Sequence, residues 1–218
     1  MNTENIGSYL YTVTNPSSWQ APDGSKMTCV IKNAGKVNLP SGRVCIADPY
    51  MIDPDDHTIQ QVFSPGHYPI RLCLASIENG ENSDTRVASA MMLLNDNEVV
   101  SWTPAQYEGI EPEKDLEEDE SRGYGVDLAT SCFVSTEMLA GFTDEEDYEK
   151  LSDQLTKAIT VADEQNKYSC EVVLNGQNMI AFQSGFGDGF YYNWIGLDSE
   201  GQPCMLLTAF DVLADNAD

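Results

Sequence analysis

The chain has 218 residues, with 36 Asp or Glu against 11 Lys or Arg, and a net charge of −25 at neutral pH. Nucleic-acid backbone and anionic membrane would repel such a polyanion, so direct binding to either is not expected; a basic partner protein, or simple solubility, fits the charge. At 41% hydrophobic residues the composition is globular, and no apolar run approaches the roughly 18 residues that span a bilayer.

The N-terminus, MNTENIGSYLYTVTN, lacks the basic and apolar regions of a signal peptide, so a cytoplasmic location is expected. The cysteines (Cys29, Cys45, Cys73, Cys132, Cys170 and Cys204) are dispersed without a CxxC pair. With only two histidines present, buried reduced thiols are expected rather than a zinc site. No internal repeat or clean linker divides the chain, which reads as one globular domain over 1–218.

In chain order, residues 1–35 read as an irregular segment with short strands at 9–14 (YLYTVT) and 27–32 (MTCVIK). The stretch 15–26, rich in Pro, Ser, Asp and Gly, has loop chemistry. Residues 41–48 (SGRVCIAD) hold a short apolar core, VCIA, consistent with a buried strand. A polar loop follows over 49–60. In 68–77 (YPIRLCLASI), Ile70, Leu72 and Leu74 alternate onto one face. After a turn at 78–85, the segments 86–94 (RVASAMMLL) and 98–102 (EVVSW) flank Asn95-Asp96-Asn97. These three segments are predicted to pair consecutively as an antiparallel meander.

Residues 108–120 (EGIEPEKDLEEDE) carry eight acids and one lysine, which predicts an exposed acidic loop over 108–121, with a short solvated helix as the alternative. Thr143 followed by Glu146 forms a capping box. Apolar residues then recur at Tyr148, Leu151, Leu155, Ala158, Ile159 and Ala162, predicting an amphipathic helix that ends near Asn166. Segments 170–174 and 179–182 flank the hairpin dipeptide Asn175-Gly176, and 190–197 and 204–210 flank a turn at 198–202. The fold class is therefore α+β, mainly antiparallel β, with two packed β-meanders, sandwich-like, and one amphipathic helix.

Several runs form a familiar ordered set: SGRVCIADP at 41–49, SPGHYPIRLCLA at 64–75, RVASAMMLL at 86–94, YGVDLATSCF at 124–133 and SGFGDGFYYNWIGLDSEGQPCMLLTAFD at 184–211. Together, over residues 36–213, the chain resembles the bacterial family called domain of unknown function 4241. The resemblance implies a shared fold and no established activity. One departure is visible: where the family usually reads Thr-Asp-Phe, this chain has Thr208-Ala209-Phe210.

Candidate chemistry gathers in the last two of those runs. Three glycines in 184–189 (SGFGDG) would let backbone amides or carbonyls converge, and Asp188 favours a divalent cation over a phosphate. Asp127 and Asp188 would form a carboxylate pair for acid–base work or for a metal, if the fold brings them together. The structural alternative is that each accepts backbone amides of a turn. Cys132 is a candidate nucleophile if His67 or His57 lies near enough to serve as its base; both histidines sit in turn sequences that favour a capping role. Ser131 and Ser184 lack a nucleophile-elbow motif. In 190–194 (FYYNW) the aromatics alternate, so Tyr192 and Trp194 are candidate interface residues.

Two functions follow, beside a structural or housekeeping domain that has neither. The first is an acidic protein-binding module, of which an immunity protein neutralising a basic partner is one form, with Glu117, Glu118, Asp119, Glu120, Tyr192 and Trp194 as contacts. The second is a metal-assisted or acid–base hydrolase using Asp127 and Asp188. No cofactor is expected beyond that divalent cation, and oligomeric state is not legible.

Overall fold

The computed structural model describes residues 3–20, 24–109, 123–142 and 145–213. In chain order the elements are α1 (Thr3–Thr14), β1 (Ser17–Gln20), β2 (Lys26–Leu39), β3 (Val44–Ala47), α2 (Pro54–His57), β4 (Gly66–Asn79), β5 (Asn82–Leu93), β6 (Ser101–Pro104) and β7 (Gly123–Val126). There follow β8 (Thr130–Ser135), α3 (Thr136–Ala140), α4 (Glu145–Glu164), β9 (Ser169–Leu174), β10 (Gln177–Gln183), β11 (Gly189–Leu197) and β12 (Pro203–Ala209).

The strands form two antiparallel sheets. The large one runs β1-β2-β4-β5-β12-β11-β6, with β7 also on β11, and curls into half a barrel. The small one runs β3-β8-β10-β9. One apolar core lies between the sheets and beneath α1; it includes Ile70, Leu72, Met92, Phe133, Phe182 and Leu206, all buried. A second core lies on the other face of the small sheet, where Leu151 and Leu155 of α4 meet Cys132, Val134, Val172 and Met179. Each such aliphatic or aromatic side chain contributes about 1.5–3 kcal/mol on leaving water. A thin polar seam crosses the main core. The Tyr124 hydroxyl donates to Ser131 Oγ at 2.9 Å and meets Thr208 Oγ1 at 3.0 Å, while Asn193 Nδ2 donates to the Tyr107 hydroxyl at 2.9 Å.

The mainly antiparallel fold class and the long helix hold, but the strand partners differ from expectation in three ways. First, residues 9–14 are not a strand within an irregular segment; they end α1. Their β-branched and aromatic residues suggest a strand, yet Ile6, Tyr9, Leu10 and Val13 fall at helical spacing, and the last three are buried. Ser89 Oγ donates to Val13 O and docks this helix on β5. Second, β4 and β5 do form a hairpin, with a tighter turn than expected at Gly80 and Glu81, but β6 does not continue the meander. β6 pairs with β11, two strands beyond β5, because β12 occupies the edge of β5. Third, the hairpins β9-β10 and β11-β12 belong to different sheets. The Asn175-Gly176 turn forms as expected, with φ of 51° and 75°. α4 ends at Glu164, close to the predicted Asn166. Among the described residues, no helix is long and apolar enough to cross a membrane.

Candidate functional site

The chain passes between the sheets twice at one corner. β7 leads into β8 through Asp127, Leu128 and Ala129, and β10 leads into β11 through residues 184–188. The ladders explain the meeting. β8 and β10 pair as far as Thr130↔Gln183, and β7 and β11 take over at Val126↔Gly189. Between these ladders, Ser184 N donates to Ala129 O at 3.1 Å.

Two carboxylates tie the corner down. Asp48 follows β3 and is 1% exposed. Its Oδ2 accepts the amides of Asp127 and Leu128, both at 3.1 Å, and its Oδ1 accepts that of Tyr50 at 2.9 Å. Three amide dipoles replace the water that a buried carboxylate would otherwise lose. On the outer side, Asp188 Oδ1 accepts the Ala129 amide at 3.1 Å. The Gly-rich loop is closed on itself: Gly187 O accepts Ser184 Oγ at 3.0 Å and the Tyr191 hydroxyl at 2.8 Å, and Gly187 N donates to Ser184 O at 2.7 Å. Gly185 has φ of 50°, and a Cβ there would come within 2.7 Å of Phe210 O.

The loops that carry Asp127 and Asp188 are therefore neighbours, and both side chains are exposed. Several nearby backbone groups are already taken. The carbonyls of Ser184 and Gly187 accept protein donors, and the amides of Ala129 and Gly187 are spent within the corner. Among the described residues, no group of three or more His, Cys, Asp or Glu could hold a metal.

The corner and the start of β11 present several apolar side chains to solvent. Leu128 (54%), Phe186 (61%), Phe190 (40%) and Tyr192 (40%) are four of the twelve exposed large hydrophobics among the described residues, so the corner holds a third of them. Phe190 and Tyr192 stack edge to face at 5.4 Å. Their ladder partners on β7 are Gly125 and Gly123, and a Cβ on Gly123 would fall 2.3 Å from the Phe190 ring. The Arg86 guanidinium lies 5.7 Å from the Phe186 ring centroid, while its Nε donates to Asp84 at 2.8 Å.

The other candidates lie elsewhere. Trp194 shares the face of Tyr192 but is partly buried, opposite Leu207 and Pro104. Cys132 is fully buried in the α4-side core; burial, and then the nearby Cys45, push its thiol well up. His67 is exposed at the start of β4, on the other sheet. The His57 ring sits edge-on to Tyr107 at 6.0 Å, and its Nδ1 meets the backbone of Asp53, a turn-capping arrangement. Glu117, Glu118, Asp119 and Glu120 lie outside the described residues. At the start of their segment, the Glu108 carboxylate pairs with Arg43.

Sequence reasoning missed Asp48, although Asp-Pro-Tyr is Asx-turn chemistry and Tyr50 N duly bonds Asp48 Oδ1. It also missed Leu128 and Phe186, whose exposure depends on where two distant loops meet.

Three of the five runs that carry the resemblance, those at 41–49, 124–133 and 184–211, contribute to this corner. A family model described as Protein of unknown function (DUF4241) matches residues 37–208, and the chain belongs to that family. Neither a curated protein nor a solved structure matched the chain.

Proposed function

We propose that the protein is a cytoplasmic binding module for a basic partner protein, of the immunity type in which an acidic chain covers and neutralises a basic one. The observation that carries this reading is the corner, where Leu128, Phe186, Phe190 and Tyr192 stand exposed beside the exposed carboxylates Asp127 and Asp188. Their backbone is anchored by Asp48, Ser184 and Tyr191, so little ordering cost falls on binding. Partner Arg or Lys side chains would lie on the aromatic faces and pair with the carboxylates, as Arg86 already does over Phe186 and with Asp84. The acidic segment 108–120 would steer such a partner.

The test is capture from the source lysate, with sequencing of what is held. Phe186→Ala with Tyr192→Ala should weaken capture of a basic protein, as should charge reversal at Glu117–Glu120 or added salt. Capture that survives all three rejects the reading.

A second reading, a metal-assisted or acid–base hydrolase using Asp127 and Asp188, draws on the contact between their loops. It requires calcium, magnesium or manganese to raise the melting temperature, and Asp188→Asn to abolish that rise. No shift with any of the three ions rejects it.

A further inference from the structure

The small sheet ends at β9, and no described strand pairs with its outer edge. The register shows which groups that edge offers. Gln183 N donates to Tyr168 O, so the pairs Tyr168↔Gln183, Cys170↔Ala181 and Val172↔Met179 are the hydrogen-bonded ones. The N–H and C=O groups of Ser169, Glu171 and Val173 therefore point away from β10.

Open space flanks this edge on both faces. On one side, a groove of about 560 Å³ runs between the start of β9 and the inner face of the large sheet, floored by Leu72, Leu74 and Ala34. On the other, a groove of about 430 Å³ runs between β9 and α4, lined by Ala158 and Val161. A strand laid along β9 would send alternate side chains into the two grooves, since successive side chains point to opposite faces.

Among the charged side chains lining these grooves lysines outnumber acids, against the balance of the whole chain. Lys32 and Lys167 line the sheet-side groove, and Lys167 and Lys157 the helix-side groove. Lys32 and Lys167 have no carboxylate partner among the described residues, whereas the one acid lining the grooves, Glu171, accepts Asn178 Nδ2 at 2.6 Å.

We propose that β9 is a docking edge for an extended peptide bearing acidic side chains, which adds to the small sheet as a fifth strand. Backbone bonds to Ser169, Glu171 and Val173 supply the pairing, and Lys32 and Lys167 select for acid. A second copy of this chain is a poorer occupant, because each copy carries −25 and two α4 helices would face one another across the joint.

The probe is a labelled strand-length peptide of alternating Val and Glu, with a Val-Lys twin. Hydrogen exchange should show the amides of Glu171 and Val173 open in the free chain and protected by the Val-Glu peptide, with those of Cys170 and Val172 protected throughout. Ser169→Pro removes an outward N–H at the first residue of an edge strand, where proline is tolerated. It should weaken anisotropy-detected binding about tenfold or more. Lys32→Glu with Lys167→Glu, both at surface positions, should reverse the preference between the twins. Phe186→Ala should leave this binding unchanged, which separates it from the corner. Equal binding of both twins, no protection of Glu171 and Val173, or a β9-paired dimer in place of peptide binding would overturn the proposal.

Discussion

The corner and the β9 edge are the two surfaces where this chain departs from an ordinary acidic coat, and they are built in opposite ways. At the corner much of the backbone is tied down: buried Asp48 takes three amides and Gly187 O takes two hydroxyls, which leaves side chains foremost. At the edge, backbone groups are what is offered, and the side chains around them include aliphatic residues and lysines. A tied-down backbone suits recognition by shape and charge, and an open ladder suits an extended chain. The chain crosses between the sheets at the ends of β8 and β10, which makes the corner, and the last strand of the small sheet, β9, has no described strand on its outer edge.

The sharpest way to break this contrast is Asp48→Ala. It leaves three amides without their acceptor inside the protein, and should cost about 3 kcal/mol or more in a urea titration. A loss below about 1 kcal/mol would mean that the corner is held by other means. Tyr124→Phe removes the hydroxyl that bridges Ser131 and Thr208 across the polar seam, and should cost about 1–2 kcal/mol. By contrast, Phe186→Ala with Tyr192→Ala should change stability by no more than about 0.5 kcal/mol, because exposed side chains are removed. At the edge, Val173→Lys should likewise be near neutral in the same titration.

The remaining effects are read through pH. Asp198 accepts the amides of Gln202 and Glu200 and the side chain of Asn97, and these bonds hold its carboxyl below the usual range. Its folded value is depressed, so its stabilisation is present above the unfolded carboxyl value of about 3.9 and is lost as pH falls through the folded one. The melting-temperature gap between wild type and Asp198→Asn should shrink on acidification. Buried thiols act at the other end. Burial raises Cys170 to about 11 and Cys45 to about 12. Their contribution is complete below the free thiol value of about 8.5 and is lost as pH rises through the folded values. Iodoacetamide near pH 8 should therefore leave Cys45 and Cys132 unmodified in the native chain and label them in urea, as mass spectrometry would show.

Local elements were legible where the chemistry was local. Asn175-Gly176 makes its turn because both residues tolerate positive φ, and α4 forms because its apolar spacing repeats for five turns. α1 was misread because its spacing and its β-branched composition point in different directions, and packing on β5 decides between them. In the candidate site, Asp127, Asp188 and Tyr192 could be singled out as polar or aromatic residues in turns and strands. Their surroundings could not: Asp188 bonds an amide 59 positions earlier, and Asp48 bonds one 79 positions later.

By itself the sequence determined that this is an acidic, mainly antiparallel β protein with one long amphipathic helix. Those properties depend on composition, on periods of two and 3.6, and on turn residues, all of which act within a few positions. Tertiary structure alone decided that β12 lies between β5 and β11, that the two hairpins enter different sheets, and that three distant segments form one corner while β9 stays open. Any strand offers the same backbone donors and acceptors, so which strands pair is settled only when apolar faces find a common core.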